Sequence, residues 1–64
     1  MNTPQPLTPR LMSVRSAAKW LALGESTVYA MLASGELPYI AVGRAKRIDT
    51  RDIETWIEQN KQSA

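Results

Sequence analysis

The sequence predicts a small α+β fold of three short helices, with a two-stranded hairpin between the second and the third. Three observations carry this expectation. Apolar residues recur at helical spacing in three separate stretches. Between Leu37 and Ile48 the period changes to two. Gly24, Gly35, Pro38 and Gly43 stand at the junctions, where the chain must turn or stop.

Residues 1–10, MNTPQPLTPR, hold three of the four prolines and almost nothing apolar, so they read as a flexible tail. Order is expected from Leu11, with one domain over 11–60 and a frayed end over 61–64. Ser13 is a good N-cap for a first helix running from about Val14 to Ala22. Val14, Ala17, Ala18 and Leu21 fall at i, i+3, i+4 and i+7, which is one helix face. Arg15, Ser16 and Lys19 take the other face, and Trp20 lies at the border.

After a turn of about four residues, Val28, Met31 and Leu32 define the core face of a second helix. Gly35 is placed to close it in a positive-φ conformation, and Pro38 prevents its resumption. Two short helices joined by a tight turn make a helix-turn-helix candidate, and the small Ala17–Ala18 pair lets the helices cross closely. Periodicity alone does not separate this from an ordinary helical hairpin.

From Leu37 onward Ile40 and Val42 face one way, and Tyr39 and Ala41 the other. The chain then turns at Gly43 and returns through Ile48, with Arg44, Lys46 and Arg47 at the tip. Three cations there suit a polyanion, although cations also keep edge strands soluble. Asp49 and Asp52 have capping-box spacing, and Ile48 and Ile53 stand where a hydrophobic staple forms. Ile53, Trp56 and Ile57 give the stripe of a third helix from about Thr50 to Asn60. Capping and the helix dipole account for the Asp49 and Asp52 carboxylates without catalysis.

The totals exclude much. A chain of 64 residues is one domain near the lower size limit for folding without a disulfide or a metal. Without Cys or His there is no disulfide, no ordinary zinc site, and no Ser-His or Cys-His pair. No apolar run approaches the ~20 residues of a membrane span, and the amino terminus lacks signal-peptide character, so the expected location is the cytoplasm. The formal charge of +2 hides an asymmetry: residues 1–48 carry six cations and two anions, and residues 49–64 two cations and four anions. A basic body with an acidic end points to a polyanion-binding face.

Helix, turn, helix, basic hairpin and helix is the order of a small winged helix-turn-helix. The segments SVRSAAKWL, STVYAMLASGELP and VGRAKRIDTRDIETWI resemble the excisionase-type, MerR-like DNA-binding domains of bacteria and their phages. The likeness covers about residues 11–58. It implies that the second helix enters a DNA major groove while the wing meets the backbone or minor groove. Carried over by position, Ser26, Thr27, Tyr29 and Ala30 become recognition-helix contacts, with Ala33 further along the same side. Arg44, Lys46 and Arg47 become wing contacts.

The residues themselves agree with that assignment. Hydroxyls at a helix start can bind phosphate, and Tyr29 lies off the Val28/Leu32 stripe. Arg15 and Lys19 add cations that reach phosphate from the first helix. The chain also departs from the family pattern. Glu25, Ala30 and Ala33 stand where arginine or lysine is frequent, Ala22 where a turn glycine is common, and Lys46 where a wing aromatic is common. A recognition helix without Arg, Lys, Asn or Gln has few bidentate partners for base edges, which shifts weight to shape readout.

As a function, the resemblance implies an excisionase. Such a protein binds repeated DNA sites cooperatively as adjacent copies of itself, bends the DNA and promotes excision by a partner integrase. It needs no cofactor, metal, membrane or small-molecule ligand, and it catalyses nothing. A transcriptional regulator built on the same domain fits the same residues. A protein-interaction module, using Tyr29, Ala30, Met31 and Ala33 as its contact surface, is the alternative from another class.

Overall fold

Ser13 begins the first helix as its sequence position predicts. Its backbone is extended, and its hydroxyl accepts from the Ser16 amide at 3.1 Å. This is the beginning of α1 (Val14–Leu21) in a computed structural model that describes residues 10–62. The expected tail therefore lies outside the described residues except for Arg10, as do Ser63 and Ala64 of the expected frayed end.

Helix α1 stops one residue before the expected Ala22, because Ala22 itself adopts the left-handed conformation, with φ 56° and ψ 40°. Its amide turns back to the carbonyls of Ala18 and Lys19, and Leu23 N–H donates to the Ala18 carbonyl at 2.9 Å. These bonds satisfy helix-end carbonyls that would otherwise lack partners. The turn to α2 (Glu25–Ser34) is three residues long. Gly35, at φ 83°, ends α2 as predicted. The Leu37 amide then reaches back to the Met31 carbonyl at 3.2 Å, which brings Leu37 into the core.

The expected hairpin forms from β2 (Ile40–Val42) and β3 (Ala45–Asp49). Val42 pairs with Ala45, leaving a two-residue turn in which only Gly43 has positive φ, at 61°. Glycine first in a two-residue loop is the turn whose twist matches a hairpin. The hairpin is not alone, however. Leu11–Ser13 form a further strand, β1, which pairs antiparallel with β3 and gives a three-stranded sheet in the order β1-β3-β2. The expected two-stranded wing is thus present between α2 and α3, and β1 is an addition to it that the sequence reading does not contain: a three-residue strand has no readable period, and its partner is distant in the chain.

Helix α3 (Thr50–Asn60) follows β3 without a break. The Asp49 carboxylate caps it, accepting from the Arg51 amide at 2.9 Å, while Thr50 N–H donates to the Arg10 carbonyl at 2.7 Å. The expected return bond from Asp52 to the Asp49 amide is not formed among the described residues. Asp49 is also the last residue of β3, opposite Leu11 of β1. Arg10 Nε donates to the second Asp49 oxygen at 3.1 Å.

The core lies where the two helices meet the inner face of the sheet. It holds Val14, Ala17 and Ala18 of α1, Val28, Met31 and Leu32 of α2, then Leu37, Ile48 and Ile53. Removing a Val- or Leu-sized side chain from water is worth about 1.5–3 kcal/mol, so these few residues supply most of the drive to fold. Met12, Leu21, Leu23, Trp56 and Ile57 pack at the margin. Trp56 Nε1 donates to Glu36 Oε2 at 2.7 Å, fastening α3 to the loop that follows α2. By contrast, Ile40 and Val42 stay exposed on the outer sheet face.

Candidate nucleic-acid interface

The start of α2 is open. Gly24 has the extended backbone of an N-cap but offers no side-chain acceptor to the first amides of the helix. Such amides, together with the positive end of the helix dipole, attract anions. Ser26 and Thr27 place their hydroxyls in this first turn, and both are exposed. Along the same helix Tyr29 is 48% exposed, and Ala30 and Ala33 face solvent. The opposite face, Val28, Met31 and Leu32, is buried, so the predicted division of α2 into core and free sides holds.

Beside this helix start stands the first turn of α1. Arg15 Nε lies 3.5 Å from Glu25 Oε2, with both side chains well exposed. The single anion at the mouth of α2 is thus already paired. Lys19 occupies the last turn of α1, where a cation also favours the negative end of the helix.

The wing closes the third side. Arg44 sits in the turn itself, immediately after Gly43. Along β3 the side chains alternate, so Lys46 shares a face with core Ile48, whereas Arg47 shares the outer face with its cross-strand partner Ile40. Arg47 also bonds through its guanidinium to the Lys46 carbonyl at 3.1 Å. The Lys46 ammonium stands 5.1 Å from the centre of the Tyr39 ring and 5.8 Å from that of Tyr29.

Together these elements enclose a cleft of about 370 Å³ whose walls include Arg15, Glu25, Tyr29, Arg44, Lys46 and Arg47. Five of the residues predicted from sequence therefore come together: one from α1, one from α2 and three from the wing. Ser26, Thr27, Ala30 and Lys19 are exposed but do not line the cleft. The residues predicted from sequence do not include Tyr39, whose ring approaches Lys46. The signal was present, because a two-residue turn at Gly43–Arg44 sets Lys46 opposite Ala41, and Tyr39 is two residues before Ala41 on the same strand face. The Arg15–Glu25 pair depends on how the helices cross, which the sequence does not encode locally.

Two helices at a tight turn, a third helix and a hairpin beside the second define a small winged helix-turn-helix, a class of DNA-binding module. Residues 11–61 match the family described as "Helix-turn-helix domain", and the chain belongs to that family. It is 41% identical over 46 residues to a protein of Saccharopolyspora erythraea described as "Probable excisionase". That alignment covers 72% of this chain and 47% of the relative, so the chain spans about half the length of the protein it matches. No solved structure matches it. Among the described residues no helix is long and apolar enough to cross a membrane.

Proposed function

We propose that this domain binds double-stranded DNA as an excisionase-type architectural factor. The carrying observation is the convergence of Arg15, Tyr29 and the three wing cations on one cleft beside the uncapped start of α2. In this reading α2 enters the major groove. Ser26 and Thr27 hold phosphate at its first turn, and Tyr29 and Ala30 face sugar and base edges. Arg44 enters the adjacent minor groove from the turn, while Arg47, Arg15 and Lys19 meet backbone phosphates.

The recognition helix offers no bidentate side chain, so one copy discriminates weakly between sequences. Non-specific association of such modules lies near ~10⁻⁴–10⁻⁶ M. Copies on adjacent sites would multiply that affinity, and bending the DNA would add shape readout. The kinship with a probable excisionase supports this arrangement, with an integrase as the enzyme that performs excision.

The test is a titration of duplexes tiling the DNA around the protein's own gene, with a scrambled control, at two salt concentrations. Stepwise binding to one tile is expected, with log K falling against log salt at a slope of roughly −3 to −5 for three to five phosphate contacts. Absence of binding at low salt would overturn the DNA reading in favour of a protein-interaction module. Binding with no effect on excision by the accompanying integrase would instead indicate a transcriptional regulator.

A further inference from the structure

Lys46 belongs to the wing, yet its surroundings differ from those of Arg44. Its ammonium stands over two aromatic rings drawn from different elements: Tyr29 of α2, at 5.8 Å, and Tyr39 just before β2, at 5.1 Å. A cation within about 6 Å of a ring centre is attracted by the negative face of the ring. Lys46 shares the inner face of β3 with buried Ile48, so its stem leaves the core edge already directed toward these rings. It has no carboxylate partner among the described residues. Both rings are nearly half exposed, at 48% and 43%, and the ammonium bridges them.

We propose that Lys46 is a positioning residue, which fixes the Tyr29 and Tyr39 rings so that α2 and the wing meet DNA as one surface. The proposal rests on the DNA-binding reading and deepens it by giving Lys46 a role distinct from a phosphate contact. The two roles separate by salt. A phosphate contact releases a counterion, and its loss flattens the slope by about 0.9. A cation engaged with two rings acts through Tyr29, and its loss leaves the slope nearly unchanged.

The first measurement is NMR of the free protein. The Lys46 Hε protons should lie upfield of those of Lys61, whose ammonium pairs with Glu58, and Tyr29→Leu and Tyr39→Leu should each diminish that displacement. The second is DNA affinity at several salt concentrations. Lys46→Met should weaken binding by at most about fivefold for each ring released, the limit set by contacts that already order the rings before binding, with little change of slope. Lys46→Arg should restore it, since a guanidinium also sits well on an aromatic face. Tyr29→Ala should cost less in the Lys46→Met background than alone, as coupled residues do.

A normal Lys46 shift in the free protein would overturn the placement. A slope flattened by about 0.9, with additive Tyr29 and Lys46 effects, would make Lys46 a direct phosphate contact and overturn the role. Failure of the unaltered protein to bind any duplex would overturn the DNA reading and this role with it. The NMR result would stand apart, so the two failures are distinguishable.

Discussion

Arg15 of α1 reaches across the mouth of the cleft to Glu25, the first residue of α2, with 3.5 Å between Nε and Oε2. Both side chains are largely in water, so the pair adds between nothing and about 1 kcal/mol to stability. Its weight falls on binding instead. Glu25 favours the helix start through the dipole but repels phosphate, and the exposed Arg15 beside it partly offsets that repulsion.

Glu25→Gln should therefore strengthen DNA binding on every duplex by about fivefold at low salt, the value of one unit charge at ~4 Å in water. Fluorescence anisotropy with labelled duplexes reads this directly. Weaker binding confined to one sequence would assign Glu25 to a base edge, where a carboxylate accepts from cytosine N4.

Arg44→Ala and Arg47→Ala should each flatten the salt slope by about one unit, and weaken binding alike across sequences. The same anisotropy series, run from low to moderate salt, measures both. An unchanged slope in the double variant would take the wing off the DNA.

Ala22 holds a left-handed backbone that costs an L-residue about 1–2 kcal/mol. Glycine removes that cost and loses about 0.4–1 kcal/mol through the freer unfolded chain. Ala22→Gly should thus stabilise the domain by roughly 0.5–1 kcal/mol, which at this size is a rise of several degrees in Tm. A thermal melt decides it, and a fall in Tm would show that the Ala22 methyl group packs usefully.

The Asp49 carboxyl is held below its ordinary pKa of 3.8, chiefly by the Arg51 amide that it caps. Desolvation opposes the shift, and the Arg10 bond and the charges of Arg10 and Arg51 assist it. A lowered folded pKa means that the unfolded chain binds the proton first. The stabilisation is therefore complete above about pH 4 and disappears as the pH falls through the folded value. Asp49→Asn keeps a capping oxygen but should flatten the dependence of Tm on pH below about 4. An unchanged acid profile would place the acid-sensitive group elsewhere.

Ile53 is fully buried at the junction of α3 with the core. Ile53→Val should cost about 0.5–1.5 kcal/mol and Ile53→Ala about 2–5 kcal/mol. A domain of this size has a total stability of only a few kcal/mol, so urea titration should find the alanine variant largely unfolded and the valine variant folded.

Much of this architecture is legible in the sequence because its signals are local. The stripe from Val14 to Leu21, the Ser13 hydroxyl, Gly35 and the Gly43 turn each act within a few residues, and each behaves as its position predicts. What escaped is non-local. Strand β1 exists only by pairing with β3, Arg10 is ordered only through Asp49 and Thr50, and Leu37 becomes core only because Gly35 folds the chain back. The cleft shows the same division. Its cations are visible in sequence as a basic run, but the tyrosine pair beneath Lys46 needs the strand register, and the partner of Glu25 needs the crossing of two helices.

The pairing of β1 with β3 also bears on how the chain assembles in time. The β2–β3 hairpin closes through two residues, whereas Arg10 and Asp49 are 39 positions apart. Loop closure of that length is entropically costly until the intervening helices have shortened the path. On these separations the wing is expected to form in the early, local phase of folding, and β1 to dock onto β3 after the transition state. Substitutions of Leu11 and Met12, which lie in β1 but do not cap α1, are therefore expected to accelerate unfolding while leaving the folding rate almost untouched, as a stopped-flow chevron would show.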